Sequence, residues 1–84
     1  MKEATPHWKL ELVIREDEDH CEVTAHLDAG DRSLEGSGLS RRNPADPKVP
    51  QVGEELATAR ALTDLAKHLT EDAWRIIEEY APVG

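Results

Sequence analysis

Large aromatic residues are scarce in this chain of 84 residues, which has no phenylalanine. Its aromatic anchors are Trp8, Trp74 and Tyr80. The single cysteine, Cys21, excludes a disulfide within the chain and with it a disulfide-held scaffold. Aliphatic side chains must therefore build the core of a domain that buries only roughly 60–70% of its unfolded surface. We expect one domain over residues 1–84, ordered over about residues 7–80.

Long apolar runs are also missing. No stretch approaches the roughly 20 apolar residues that a helix needs to cross a bilayer. The residues that follow Met1 do not form the apolar segment of a signal peptide. The sequence therefore predicts a cytoplasmic protein without a membrane partner, and a lone thiol suits a reducing compartment.

Basic residues are few in this chain. Ten basic residues stand against eighteen acidic ones, and the formal net charge is −8. Such a field repels nucleic acid and acidic lipid at long range. Residues 32–67 are the exception, because basic residues slightly outnumber acidic ones there: Arg32, Arg41, Arg42, Lys48, Arg60 and Lys67. Any anion-binding surface is therefore expected in this region.

The first part of the chain has the pattern of two strands. Apolar and polar residues alternate from Trp8 to Ile14 and again from Cys21 to Leu27, which is typical of strands with one buried face. Between them, the four carboxylates of Glu16–Asp19 repel one another and favour an exposed turn. The two runs therefore predict an antiparallel hairpin.

A third strand is predicted over about residues 32–40, but it is weaker because Gly36 and Gly38 interrupt it. Glycines two residues apart share one face of a strand, and their missing Cβ atoms permit a bulge or the close approach of a helix. Three prolines in the segment 41–50 then exclude regular structure and stiffen the chain.

A helix is predicted to begin at Pro50. Apolar residues then recur at helical spacing: Val52, Leu56, Ala59, Leu62, Leu65, Ala66 and Leu69. Thr70 is suited to cap a short second helix, and one continuous helix through Thr70 is the alternative. Pro82 ends the ordered chain in both cases. The predicted class is α+β in the order β-β-β-α-α, a three-stranded antiparallel sheet with one face covered by a long helix and a short C-terminal helix.

The apolar positions of these elements predict the core. Its members are Trp8, Leu10, Leu12, Ile14, Val23, Leu27, Leu56, Leu62, Leu65 and Leu69. So small a sheet leaves its edges open, and so short a helix layer does not cover its apolar surface alone. We therefore expect a homodimer.

Residues suited to catalysis or metal binding do not form a recognisable site. His20, Cys21 and His26 are a metal-like cluster, but on one strand Cys21 points away from both histidines. The run Glu16–Asp19 lacks the glycine and the spaced ligands of a calcium loop. We therefore expect neither a cofactor nor enzyme activity, and we interpret these groups as solvated histidines, a core thiol and a turn.

Paired arginines stand beside the proline-rich segment and suggest a binding surface. Arginine forks suit phosphate or carboxylate, and a stiff loop presents them at little entropic cost. The candidate partner-binding residues are Arg41, Arg42, Lys48 and Arg60. The structural interpretation, which we favour, is that Arg41 and Arg42 pair with acidic residues and pin the loop; the partners named are Asp46, Glu54 and Glu55.

The loop and the helix start also carry a family resemblance. The residues concerned are Gly36-x-Gly38, Arg41-Arg42-Asn43-Pro44-Ala45-Asp46, Val49-Pro50-x-Val52-Gly53-Glu54-Glu55-Leu56-Ala57 and Ala59-Arg60-Ala61-Leu62-x-Asp64-Leu65-Ala66. This pattern resembles a family of small actinobacterial proteins of unknown function with a fold like that of double-stranded-RNA-binding domains. The resemblance covers about residues 7–69.

The resemblance implies a three-stranded sheet packed on a helix, and a homodimer. Some members are associated with hypoxia or dormancy, and one has been likened to ribosome hibernation-promoting factors, which implies a ribosome-associated role. The family provides no established site residues. Recognition of double-stranded RNA in this fold uses basic residues on phosphates, which a net charge of −8 disfavours.

Two hypotheses follow. The first is a non-enzymatic, dimeric interaction module that binds a protein or ribonucleoprotein in stress or dormancy. The alternative is a ribosome- or RNA-associated factor that uses Arg41, Arg42, Lys48 and Arg60 as a local basic patch. A small-molecule-binding or enzymatic domain ranks below both.

Overall fold

The computed structural model describes residues 3–81 and consists of a three-stranded antiparallel meander and one long helix. The elements are β1 (Lys9–Glu16), β2 (His20–Asp28), β3 (Ser33–Arg41) and α1 (Pro50–Tyr80). The strand order is β1-β2-β3, so β2 is central and β1 and β3 are the edges. This is the predicted α+β class, and the hairpin is confirmed.

The turn between β1 and β2 is held by Asp17. Its Oδ1 accepts hydrogen bonds from the backbone N–H groups of Asp19 and His20, each at 2.8 Å. These bonds favour the charged carboxylate and hold the pKa of Asp17 below its ordinary value. The turn between β2 and β3 uses Gly30, whose positive φ of 88° suits a residue without a Cβ atom.

The two glycines of β3 let α1 pack unusually close to the sheet. A Cβ atom at Gly36 would lie 2.7 Å from the Cα atom of Leu65, and one at Gly38 would lie 2.8 Å from the Cβ atom of Arg60. Neither position has room for a side chain, since both face the helix backbone. The expected close approach of a helix is therefore confirmed.

The buried core is small and consists mainly of small side chains. Its members are Cys21, Val23, Ala25, Leu27, Ala57, Ala61 and Leu65, with Leu34 and Leu69 packed at its margin. Val23 is the largest side chain that is fully buried among the described residues. Because Gly36, Gly38 and Ala25 leave space above β2 and β3, the helix lies over those two strands.

The predicted core is therefore only partly right. Val23, Leu27 and Leu65 are buried as expected, and Leu69 is partly buried. The other members are between 38% and 53% exposed: Trp8, Leu10, Leu12, Ile14, Leu56 and Leu62. The strand faces were assigned correctly, since Leu10, Leu12 and Ile14 pair with Leu27, Ala25 and Val23. The error is that α1 does not cover β1.

The prediction of a separate C-terminal helix is wrong, because α1 continues without a break to Tyr80. The Thr70 hydroxyl donates to the Ala66 carbonyl at 3.0 Å, so it bonds within the helix instead of capping a new one. Downstream, Arg75 bonds Asp72 and Glu79 on neighbouring turns. Pro82, expected to end the ordered chain, lies outside the described residues.

The helix is longer than the sheet beneath it. Thirty-one residues span about 46 Å at 1.5 Å per residue, whereas strands of eight or nine residues span about 30 Å. The C-terminal turns therefore extend past the sheet, and Trp74 and Tyr80 are 61% and 82% exposed. Within residues 3–81, no helix combines the length and the apolar character needed to cross a membrane.

Candidate functional site

The loop between β3 and α1 is fastened to the first hairpin turn. The backbone N–H of Arg42 donates to the Asp19 carbonyl, and its Nη2 donates to the Asp19 carboxylate, each at 2.8 Å. Its Nη1 donates to the Asp46 carbonyl at 2.9 Å. Lys48 Nζ lies 3.5 Å from Glu18 Oε2 and forms a weaker second link. Arg42 thus ties the start of the loop to the hairpin turn and also contacts the middle of the loop.

This arrangement matches the structural interpretation of Arg42 but changes its partner. The acidic side chain that Arg42 binds is Asp19, whereas the partners predicted from the sequence were Asp46, Glu54 and Glu55. Asp19 precedes Arg42 by 23 residues, and only the sheet brings them together. The signal in the sequence was the four-carboxylate run itself, which is rich enough in acid to attract a distant arginine.

The four candidate partner-binding residues do not form one patch. Arg41, Arg42 and Lys48 line a common cleft. Arg60 lies elsewhere, since its Nη1 donates to the Leu39 carbonyl at 2.7 Å on the outer edge of β3. Of the three cleft residues, Arg42 and Lys48 have carboxylate partners, and Arg41 is exposed.

The cleft has a volume of about 710 Å³ and lies between the hairpin turn, the proline-rich loop and the start of α1. Cys21 lines it, and burial raises the pKa of its thiol, so the sulfur stays protonated and weakly nucleophilic. Beside it, a hydrogen bond with Glu54 raises the pKa of Glu16. The neighbouring His20 is exposed, and in the described part of the chain no three metal-binding side chains converge.

Side chains from α1 bond three backbone groups on the outer edge of β3. Arg60 donates to the Leu39 carbonyl, Asp64 accepts from the Ser37 backbone N–H at 2.9 Å, and His68 Nδ1 donates to the Glu35 carbonyl at 2.6 Å. Helix residues four positions apart thus meet alternate residues of the strand. These bonds occupy part of the edge and disfavour its pairing with another strand.

The opposite edge strand has an uncovered apolar surface. Leu10, Leu12 and Ile14 point to the same side of the sheet as α1, yet they are 50%, 39% and 45% exposed. We call these three residues the open β1 face. Three large aliphatic side chains in a row on an edge strand mark an interaction surface.

A second apolar surface runs along the outer side of α1. It comprises eight exposed residues separated alternately by four and three positions, and we call them the outer α1 stripe: Val52, Leu56, Ala59, Thr63, Ala66, Thr70, Ala73 and Ile77. This spacing keeps them on one side of a helix. The hydroxyls of Thr63 and Thr70 bond the carbonyls of Ala59 and Ala66, so their polar groups are satisfied internally.

This stripe is not among the surfaces predicted from the sequence. The predicted apolar series of the helix combines Val52, Leu56, Ala59 and Ala66 with Leu65, which faces the sheet. The signal available was the uninterrupted alternation of four- and three-residue steps without a single charged residue, in a helix that is otherwise strongly charged. The helix is therefore apolar on two sides, and the described structure covers the one that faces the sheet.

At the end of the molecule away from the cleft, a charged network links α1 to the turn between β2 and β3. Asp72 Oδ1 accepts a hydrogen bond from Arg75 Nη2 at 2.7 Å, and Asp72 Oδ2 lies 2.8 Å from Arg32 Nε. The second contact is an ion pair without the alignment of a hydrogen bond. The hydrogen bond from Arg75 is the main reason why the pKa of Asp72 lies below its ordinary value. The network ties the turn after β2 to α1.

Comparisons with known proteins give one consistent result. A family model described as Rv2632c-like matches residues 6–82. The chain is 42% identical over 72 residues to the uncharacterized protein Mb1767 of Mycobacterium bovis, covering 86% of this chain and 77% of that protein. It is 43% identical over 61 residues to the uncharacterized protein Rv2632c of Mycobacterium tuberculosis, covering 73% and 66% respectively. The crystal structure of Rv2632c superposes with a TM-score of 0.88 over the full length of both chains, at 33% identity.

Proposed function

This chain belongs to the Rv2632c-like family, and we propose that it is a non-enzymatic interaction module that works as a homodimer. The observation that carries the proposal is the open β1 face. Leu10, Leu12 and Ile14 lie on the core side of the sheet but remain about half exposed, since the protein's own helix packs mainly on β2 and β3.

The energetics favour association. Apolar surface removed from water stabilises by roughly 25 cal/mol per Å², and the folded chain leaves large aliphatic side chains on two adjacent surfaces exposed. Its internal core is made mostly of small residues, so burial within one copy contributes comparatively little. A second copy supplies the missing cover without introducing any charged group at these positions.

The absence of catalysis in this proposal is supported by the state of the reactive groups. The Cys21 thiol is buried and its pKa is raised, which disfavours the thiolate. Arg42 and Lys48 in the same cleft are paired with acidic residues of the hairpin turn. The polar groups of the cleft therefore hold the loop in place.

A second candidate function is supported by Arg41. It is exposed at the rim of the cleft beside Arg42 and Lys48, where it can contact a phosphate of RNA or of a ribosome. We rank this function lower, because the other two cations are neutralised by Asp19 and Glu18. Ribosome sedimentation at increasing salt tests it, since phosphate contacts weaken steeply as counterions are added.

The physiological setting proposed is stress or dormancy, as the family resemblance implies. Protein abundance in growing, stationary and oxygen-limited cells tests it. A level that is unchanged across the three conditions would count against a dormancy role and would leave the dimer proposal unaffected.

The dimer proposal is tested by sedimentation equilibrium from nanomolar to high micromolar concentration. The wild-type protein should reach twice the monomer mass. Leu12→Lys should be monomeric with an unchanged circular dichroism spectrum, because Leu12 is already partly exposed in one copy. Glu11→Lys is the matched control, since Glu11 is the adjacent exposed residue on the other sheet face. A wild-type protein that stays at monomer mass throughout would refute the proposal.

A further inference from the structure

The open β1 face and the outer α1 stripe are two levels of one stepped surface. We propose that in the homodimer the outer α1 stripe of each protomer packs on the open β1 face of the other. The two helices then lie side by side between two sheets. This arrangement rests on the proposed function, namely that the chain dimerises, and it specifies the interface.

The dimensions of the step suit a helix. Adjacent strands are spaced about 4.8 Å apart, and two packed helices lie about 8–10 Å apart. Since α1 packs mainly on β2 and β3, β1 would form the floor of a trough beside it. The partner's helix fits in this trough, and the partner's β1 then lies above α1. The surface is self-complementary, as a two-fold interface requires.

The symmetry also determines which part of the partner's outer α1 stripe Leu12 meets. A two-fold axis parallel to α1 leaves heights along the helix unchanged. Leu12 pairs with Ala25, which pairs with Gly36, and Gly36 contacts the backbone of Ala61 and Leu65. Leu12 therefore lies level with the turn 61–65, and across the dimer it meets the partner's stripe near Thr63 and Ala66.

The side-chain sizes at this level are complementary. The middle of the outer α1 stripe is small, with Ala59, Thr63, Ala66 and Thr70 in succession, and it lies opposite the large side chains of the open β1 face. Small residues on one surface accommodate large ones on the other, which gives close packing. Leu62, 38% exposed, lies beside the stripe on the flank of α1, where the two helices meet.

The absence of charge along the stripe supports the same conclusion. All eight stripe residues and all three residues of the open β1 face are uncharged, although the net charge of the chain is −8. Burial of these residues therefore carries no desolvation cost for an ion. Charged residues are characteristically depleted at the centre of protein interfaces.

Two other two-fold arrangements account for only part of this surface. Pairing of β1 with the partner's β1, edge to edge, would satisfy backbone groups but leave both stripes and both open β1 faces exposed. Packing of one stripe directly on the other would leave both open β1 faces exposed. Reciprocal packing of stripe on β1 covers both surfaces of both protomers.

Cysteine cross-linking tests the arrangement. In a Cys21→Ala background, Leu12→Cys and Ala66→Cys are prepared separately, mixed, and treated with a short bismaleimide, which tolerates an error of one helical turn in register. Reciprocal packing predicts that the mixture gives a covalent dimer and that neither variant alone gives this product. Glu11→Cys mixed with Ala66→Cys is the control and should not cross-link, since Glu11 is on the opposite sheet face.

The other outcomes are equally informative. Cross-linking of Leu12→Cys with itself indicates β1–β1 contact, and cross-linking of Ala66→Cys with itself indicates stripe–stripe contact; each overturns the arrangement. A dimer by sedimentation that yields no cross-link also overturns it and leaves the proposed homodimer standing. If sedimentation shows only monomer, the proposed function itself fails.

Discussion

Leu12 lies directly opposite Ala25 in the sheet, with both side chains on the same face, yet Ala25 is fully buried and Leu12 is 39% exposed. The two residues lie on neighbouring strands, β1 and β2. The difference arises because α1 packs against the small residues of β2 and β3 and lies mainly over those two strands. Burial in this protein is thus decided by where the helix lies, and less by which residues are apolar.

Truncation of a leucine that α1 covers and of one that it leaves exposed should change the free energy of unfolding differently as the protein concentration varies. Leu65→Ala should lower the free energy of unfolding by about 2–5 kcal/mol at any protein concentration, because Leu65 is buried within one copy. Leu12→Ala should lose stability mainly at concentrations where the wild type is dimeric. Denaturant titrations at low and high protein concentration measure both. A concentration-independent loss for Leu12→Ala would mean that its contacts are internal.

Gly36→Ala should be severely destabilising. The new Cβ atom would meet the backbone of Leu65 and Ala61, which cannot move aside as a side chain could, and overpacking of this kind typically costs about 1–3 kcal/mol or more. Ser37→Ala is the matched control on the exposed face of the same strand. Thermal unfolding compares them. A Gly36→Ala protein that melts like the wild type would show that α1 lies farther from β3 than described.

Arg42 and Arg41 should behave differently although they are adjacent. Arg42→Ala removes contacts to Asp19 and to the loop carbonyls and should lower stability by about 1 kcal/mol, with a loss that shrinks at high salt. Arg41→Ala should leave stability unchanged, because Arg41 is exposed. Chemical denaturation at two salt concentrations measures both. A ribosome- or RNA-binding defect in Arg41→Ala at native stability would favour the second candidate function.

Asp72→Asn should reduce stability at neutral pH, and the reduction should disappear in acid. The pKa of Asp72 is lowered in the folded protein, mainly by its hydrogen bond from Arg75. Such a group stabilises the fold above its unfolded pKa, about 4, and the stabilisation is lost as pH falls through the lower folded pKa. Unfolding curves from neutral to acidic pH for wild type and variant test this. Parallel stability profiles would show that the carboxylate's charge does not matter.

Local patterns in the sequence were enough to predict the strands, the hairpin, the start of the helix at Pro50 and the α+β class. Alternation from Trp8 to Ile14 places side chains on two faces because successive residues of a strand point in opposite directions. The glycines of β3 indicated either a bulge or the close approach of a helix, since a missing Cβ atom permits both. These inferences needed nothing beyond the geometry of neighbouring residues.

What only the tertiary structure decided was the position of α1 over the sheet and the partners that lie far apart in the chain. Apolar periodicity shows which face of β1 is apolar, but not whether a helix reaches it, because coverage depends on how closely Gly36 and Gly38 let α1 approach β3. The Arg42–Asp19 contact likewise exists only because the sheet brings the loop beside the hairpin turn. The continuity of α1 through Thr70 was also undecided locally, since a threonine hydroxyl can cap a helix or bond inside one, and the structure shows the second.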